Sequence, residues 1–489
     1  WGFWIMLTLI VGTGTVLRLY GLGRESLWRD EAITARLAGQ PFLVMLTNRA
    51  ARCYPPLYFA SIWQWVRLFG DSEFSLRLPS AISGILALPA ICAVGSLLFR
   101  NRRVGLLAAL LLASSQFNIR YSQEARWYAT TTLLALGSTY WFIKILRQGT
   151  RWEWAGYLVS SVVFVYADNT AWLLLGVQSA AVLVRRMRTD GKTSPCLAGW
   201  FCAQLAIAGM YGPWVAFIRT QTGTVSRGGF SAIGLWDTLV LHFGATPVLW
   251  VLLLASVMAL FAIRPPVQSR SVGSASCGHG YGLTRLRLST DGRVWFLLCW
   301  WLLPTLALNA LSYCVGMRQA ARYTIASSLG LYLLAATGLA KLRPRIFCAA
   351  AAGAVLACSV SSLARYHSRN AKPQWREAVA LIETHALPGD MLIFGVGNQT
   401  YKYYLEGRDL TVFNLLSPDP QKRTGQMQPL PADVRRVSQV FLILKTRGFR
   451  LKPERPLARL REERFSPVSE WRLCGLRVYR LVRQSGGED

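Results

Sequence analysis

Acidic residues are the scarce class in this chain: 489 residues hold 24 Asp and Glu against 54 Lys and Arg, a formal net charge of +30. Histidine is scarcer still. The four, at His242, His279, His367 and His385, are too dispersed to suggest a metal centre. The ten cysteines stand singly, most of them inside apolar runs (Cys92, Cys202, Cys299, Cys348, Cys358), without metal-type spacing, so they read as small core residues. No glycine-rich phosphate loop occurs, which counts against a nucleotide-bound substrate. No internal repeat is visible. No small-residue cleavage site follows Leu19, so the first apolar segment reads as an anchor and not as a signal peptide.

Apolar residues are abundant: 53% of the chain, with 19 Trp, 18 Tyr and 21 Phe. They gather in runs of bilayer length, at Phe3 to Leu19, Ala198 to Phe217, Leu241 to Ile263, Val294 to Tyr313, Tyr323 to Leu339 and Phe347 to Leu363. A soluble domain would need many helices apolar on every side, so the fold class is a mainly α, polytopic membrane protein. The positive charge does not point to nucleic acid, because much of it sits in short loops: "RNRR" at Arg100, "RQGTR" at Arg147, "RRMRTDGK" at Arg185 and "KLRPR" at Lys341. The positive-inside rule assigns these loops to the cytoplasm and predicts about eleven spans, with the chain beyond about Arg365 on the far face.

Two domains are expected, a transmembrane one over residues 1–363 and an extracytoplasmic α/β one over 364–489. The first outer loop is the long one, about 21–83. It contains an amphipathic stretch broken by Pro41 and a short Trp-rich helix after Pro55 and Pro56, as expected for helices in the interface. Further outer points are Asn118 to Trp127, Tyr166 to Ala171, the stretch from Arg219 to roughly Val240, and Cys314 to Tyr323. The cytoplasmic loop Arg264 to Arg293 is Ser-, Gly- and Arg-rich, a flexible linker by composition. Past Leu363, helical "WREAVALIETHA" and "QTYKYYLEG" alternate with strand-like "DMLIFGV", "LTVFNLL" and "QVFLILKT", and a hairpin is expected around Glu470 to Val482.

The chemistry-bearing residues lie at outer span ends. Asp30 and Glu31 adjoin in "SLWRDEAITA". Neighbours on a helix point about 100° apart, so one of the two carboxylates is expected to have a structural job. Asp30 as a helix N-cap with Glu31 in the first turn is one reading, and a desolvated carboxylate acting as a general base is the other. In "RYSQEARWYA", Arg120 and Arg126 oppose the positive-inside trend, and Arg126 falls early in a helix expected to be capped by Ser122, where the dipole disfavours a cation. A bound phosphate would compensate, and so would an ion pair with Glu124. Arg318 and Arg322 repeat the anomaly before Tyr323, although snorkelling also accounts for either one. The double proline of "CYPPLYF" makes a rigid turn, and Asp168 in "YADNTAW" reads as a polar turn between spans.

Taken in order, "WRDEAITA", "YPPLYF", "GDSEFSLRLPSAISGILALPA", "RYSQEARWYA" and "RY" at Arg322 resemble the GT-C membrane glycosyltransferases. The branch is that of the protein O-mannosyltransferases, the lipid A aminoarabinose transferase and the Rgt-like bacterial sugar transferases. The resemblance implies a GT-C helical bundle and an integral protein of a bacterial-type plasma or inner membrane. It implies a polyprenyl-phosphate sugar donor, a lipid, glycan or protein acceptor hydroxyl on the outer side, and inversion at the anomeric carbon. It makes Asp30 and Glu31 the acidic positions and puts Pro55, Pro56, Tyr58, Arg120, Tyr121, Glu124, Arg126, Tyr128, Asp168, Arg322 and Tyr323 at substrate-binding positions. No cofactor is required by the residues, and a divalent cation is left open. Two positions depart from the pattern: Cys53 stands where relatives commonly have His, and Asp168–Asn169 where a His–Tyr pair is common. The competing classes are a transporter or flippase of lipid-linked saccharide, which would place charges at the bilayer midplane, and a non-catalytic scaffold.

Overall fold

A computed structural model describes residues 1–47, 54–188, 196–221, 290–315, 321–342, 344–368, 372–395, 400–405, 410–415, 427–446 and 453–484, with positions 238, 240, 242 and 251. Cys53, Arg318, most of the 219–240 loop, most of the apolar run 241–263 and the linker from 264 to 289 lie outside the described residues. The chain divides into two compact units: residues 1–20, 42–62 and 77–365, and residues 21–41, 63–76 and 366–489. The first outer loop is therefore shared between them, and its Asp30–Glu31 segment belongs with the C-terminal part.

The helices before the C-terminal sheet are α1 (Gly2–Leu19), α2 (Arg29–Ala38), α3 (Phe42–Thr47), α4 (Leu57–Phe69), α5 (Glu73–Phe99), α6 (Arg102–Ser114), α7 (Gln116–Ser122), α8 (Tyr128–Ile145), α9 (Arg151–Ala167), α10 (Ala171–Arg188), α11 (Leu197–Gln221), α12 (Thr290–Val315), α13 (Ile325–Lys341) and α14 (Arg345–Ser368). Among the described residues six stretches are long and apolar enough to cross a membrane: Gly2–Leu19, Glu73–Phe99, Leu197–Arg219, Gly292–Leu311, Ala321–Lys341 and Cys348–Ser368. The chain is an integral membrane protein of mainly helical build.

At the centre of the first unit stands α13. Every residue from Ile325 to Leu339 is buried, as an all-round apolar helix requires, and it packs against α6, α8 and α12. Gly330 permits the approach to α12: a Cβ there would meet the Leu297 carbonyl oxygen at 2.8 Å and the Trp301 nitrogen at 3.0 Å. Small residues at such contacts let backbones close up. Gly330→Val is expected to cost about 1–3 kcal/mol, the range for overpacking, and to lower the thermal midpoint of the detergent-solubilised protein. Gly176→Ala, at a position with no heavy atom within 4 Å, is expected to leave the midpoint in place, and equal midpoints for both variants would refute the close contact.

Buried polar groups tie α1, α6 and α7 together. The Arg18 guanidinium donates to the carbonyls of Gly14 (3.1 Å), Leu112 (3.1 Å) and Ala113 (3.4 Å), so a cation closes the last turn of α6, where the dipole favours one. The Gln123 amide likewise donates to the carbonyls of Leu17, Arg18 and Tyr20 at the end of α1. One expectation is corrected here. Ser122 is not a cap: it ends α7, its hydroxyl donating back to the Asn118 carbonyl at 2.7 Å, a local bond that competes with capping. Ser115 caps α7 instead, and α8 starts only at Tyr128, so Arg126 lies in the non-helical link between the two.

The second unit holds a five-stranded sheet, β1 (Met391–Phe394), β2 (Thr411–Asn414), β3 (Gln439–Lys445), β4 (Phe465–Leu473) and β5 (Leu476–Arg483), in the order β2-β1-β3-β5-β4. β1 is parallel to both β2 and β3, and the other pairings are antiparallel. All four β1 residues are fully buried, as a strand covered on both faces must be. On one face Leu392, Phe394, Phe441 and Ile443 pack with Trp375 and Ile382 of helix α15 (Trp375–Glu383) and with Tyr401 of α16 (Thr400–Tyr404). On the other, Met391, Ile393, Val440 and Leu442 pack with Leu460 of α17 (Glu454–Glu462). The expected hairpin is present as β4–β5, its turn using Gly475 at φ +75°, a conformation that favours glycine. Helix α17 lacks a clear sequence signal, since five of its nine residues are Arg or Glu and only Leu457 and Leu460 mark its inner face.

Candidate active site

In the first unit, three segments distant in sequence meet around a set of aromatic rings. Pro55 and Pro56 fix the chain just before α4, where a preset φ and a missing N–H are tolerated, and this sets Tyr54, Tyr58 and Phe59 against Trp127. The ring centroids lie 4.3, 6.2 and 5.9 Å from Trp127, respectively. The Tyr58 hydroxyl lies 3.3 Å from Ser80 Oγ, which donates to the Arg126 carbonyl at 2.9 Å. The backbone of Arg126 is thus held from "RLPSAISG" on α5. Its guanidinium lies over Trp127 at 3.9 Å and over Tyr54 at 5.3 Å, with the residue only 3% exposed.

Arg322 approaches from the short 3₁₀ turn Ala321–Thr324, 5.8 Å from the Tyr128 ring and 5.5 Å from the Tyr323 ring. The hydroxyls of Tyr54 and Tyr323 are 3.4 Å apart, and Tyr121 stacks edge-on against Tyr128 at 5.2 Å. The structure therefore brings Tyr58, Tyr121, Arg126, Tyr128, Arg322 and Tyr323 together. The Tyr128 hydroxyl is fully buried and, among the described residues, has no hydrogen-bond partner. Arg120 turns outward: it is exposed, and its Nε pairs with Glu124 at 3.6 Å. Asp168, buried where α9 ends, accepts from Thr131 Oγ1 (3.0 Å), from the Thr170 backbone N–H (2.9 Å) and from the Trp127 side chain. It anchors the indole on which Arg126 rests.

In the second unit the two adjacent acids part company. Trp28, not Asp30, is the N-cap of α2. Glu31 reaches back to accept from the Trp28 backbone N–H at 3.3 Å and also takes the Lys372 ammonium at 3.0 Å, both on Oε2 and with no exposure at all. The structural job belongs to Glu31. Asp30 sits one position earlier, half-buried, where the first-turn dipole favours a carboxylate. Its sequence neighbour Arg29 lies within Coulombic reach of Lys445 at the end of β3. Burial first, and then the Arg29 charge, hold the Lys445 ammonium below its ordinary range. Among the described residues no three His, Cys, Asp or Glu side chains gather closely enough to hold a metal ion.

Sequence reasoning passed over Trp127, Tyr54, Ser80 and Lys372. Trp127 and Tyr54 adjoin residues that were singled out, and their neighbourhood was the available signal. Lys372 stands 341 residues from its partner, too far for any local pattern to pair the two.

Residues 54–189 match the family described as dolichyl-phosphate-mannose-protein mannosyltransferase, a stretch that includes Tyr54, Tyr58, Arg126 and Asp168. No curated protein matches the chain by sequence. Among solved structures, ArnT from Cupriavidus metallidurans bound to undecaprenyl phosphate is 14% identical, with a TM-score of 0.63 over 98% of each chain. The same protein in its apo state is 12% identical, with a TM-score of 0.64 over 98% of this chain and 97% of that one. The Archaeoglobus fulgidus oligosaccharyltransferase tethered to an acceptor peptide is 12% identical, with a TM-score of 0.52 over 84% of this chain and 63% of that one.

Proposed function

We propose that this chain, whose fold is that of the GT-C glycosyltransferases, moves a sugar from a polyprenyl-phosphate donor to an acceptor hydroxyl on the outer face of the membrane, with inversion. In this reading the bundle has about eleven spans and the C-terminal unit is extracytoplasmic. The observation that carries it is the pairing of Arg126 and Arg322 with a buried tyrosine hydroxyl and aromatic walls. An arginine fork suits the oxygens of a phosphate ester. The undecaprenyl phosphate in the Cupriavidus metallidurans relative is a lipid phosphate of this class.

The chemistry follows from what such a donor needs. The acceptor oxygen attacks the anomeric carbon, the bond from that carbon to the phosphate oxygen breaks, and its electron pair leaves with the polyprenyl phosphate. Arg126 and Arg322 neutralise the charge that grows on this leaving group, with the Tyr128 hydroxyl as a further donor. Asp30 takes the acceptor proton as the new bond forms. Glu31 keeps the first turn of α2 in place, and Asp168 keeps Trp127 under Arg126.

The test is reconstitution of the purified chain in proteoliposomes with labelled polyprenyl-phosphate sugars and an extract of envelope acceptors. Label is expected to reach an acceptor with its anomeric configuration inverted, in step with release of polyprenyl phosphate. If no lipid-linked sugar donates and the lipid crosses the bilayer intact, the protein is a translocase instead.

A further inference from the structure

We propose that Lys372 is a positioning residue for the base: by holding Glu31 it holds the opening turn of α2, and with it the aim of Asp30. This rests on the reading of Asp30 as the base.

Glu31 is a carboxylate with no solvent exposure, and the Lys372 side chain beside it is only 11% exposed. A buried charge survives only when paired. Stripped of the ammonium, Glu31 would have to take up a proton or draw in water, and either change loosens its grip on the Trp28 N–H that starts the helix. Asp30 is the next residue up the chain from this grip, so its orientation follows.

Lys372 itself stands on a rigid support. Gln374, two residues on, donates its backbone N–H to the Cys474 carbonyl at 3.0 Å, and its side chain accepts from the Cys474 N–H at 2.8 Å. Pro373 packs so closely on the β4–β5 turn that a Cβ on Gly475 would lie 3.1 Å from it. The stretch leading to α2 is tied to the same support. Ser26 accepts from the Arg376 N–H (3.1 Å) and donates to Glu377 (2.9 Å), the Arg24 carbonyl accepts from the Arg376 guanidinium (2.8 Å), and the Leu27 N–H donates to the Tyr404 hydroxyl (2.6 Å). The sheet, its hairpin turn, Lys372 and Glu31 thus form one unbroken support for the residue assigned the proton transfer, and the C-terminal α/β part is a component of the catalytic apparatus.

The experiment compares the full-length parent with K372M, K372R, E31Q/K372M and D30N in proteoliposomes, measuring kcat and the donor KM. K372M is expected to lose roughly 10- to 100-fold in kcat with the donor KM little changed, the scale of a small misplacement of a catalytic group. K372R is expected to stay close to the parent. E31Q/K372M, which buries no unpaired charge, is expected to regain part of the lost kcat yet remain below the parent. A K372M enzyme with the parent's kcat, a K372R enzyme as impaired as K372M, or an E31Q/K372M enzyme with full kcat each overturns the proposal. The double variant serves where K372M alone does not fold. An inactive parent, or a D30N enzyme as fast as the parent, overturns the reading of Asp30 beneath it. An active parent with a dead D30N and an unaffected K372M overturns only the role of Lys372.

Discussion

Asp30→Asn is expected to slow sugar transfer by about 10²–10⁴-fold, the usual contribution of a general base, while leaving the protein folded. The amide matches the carboxylate in size but cannot accept the acceptor's proton. The bonds that hold the start of α2 run through other groups. The bond from Thr34 Oγ1 goes to the Asp30 backbone carbonyl, at 3.0 Å, and the helix start is capped through Glu31. Thermal midpoints of parent and variant should therefore nearly coincide, and the donor KM should hold because the phosphate is assigned to other residues. Glu31→Gln makes the informative contrast: its lesion should appear first in stability, since Gln keeps the capping acceptor but abandons the buried pair with Lys372. Initial rates across a series of donor concentrations settle the matter. A variant that retains transfer within about twofold of the parent removes Asp30 from the base role.

How far this was legible in sequence depends on the range of the interactions. Periodicity and run length are local, so the helices at Phe3 to Leu19, Ala198 to Phe217, Val294 to Tyr313, Tyr323 to Leu339 and Phe347 to Leu363, β1 and β3, the break at Pro41 and the β4–β5 hairpin all appear close to where the chain announces them, whereas α5 begins at Glu73, inside the expected first outer loop. Asp30 and Glu31 were separable on geometry alone, because adjacent helical positions diverge. Which of the two was structural depended on Lys372, a partner set by the tertiary fold. The Ser122 cap failed for a related reason. A Ser before a polar, helix-compatible stretch can cap forward or bond backward, and here the packing of Gln123 onto the end of α1 ends α7 and leaves "QEARW" as a link. The same link is what frees Arg126 from helical geometry and allows it to lie on Trp127. Pairwise aromatic contacts between segments as distant as Tyr54, Trp127 and Tyr323 leave no trace in composition, whereas their flanking Pro-Pro and Arg residues do.

Arg126→Met is expected to lower kcat/KM by about 10²–10³-fold, or about 2.7–4 kcal/mol, the range for loss of one preorganised donor to a developing negative charge. Two effects compete for this residue. As glue, its guanidinium at 3.9 Å from Trp127 contributes cation–π attraction of about 0.5–2 kcal/mol, and its loss would then appear as instability with turnover intact. As a phosphate ligand, its loss falls on the transition state, where charge collects on the leaving group. Methionine keeps much of the apolar stem that covers the indole, so the variant weakens the first role less than the second. Arg126→Lys sharpens the distinction: a lysine restores the positive charge but not the planar two-point fork, and is expected to recover only part of the rate. Polyprenyl phosphate, the product, should inhibit the parent more strongly than either variant, because the same donors hold it after transfer. If Arg126→Met melts early yet transfers sugar at the parent's rate and is inhibited equally by product, the guanidinium belongs to the packing of Trp127 and the leaving group is bound by other donors.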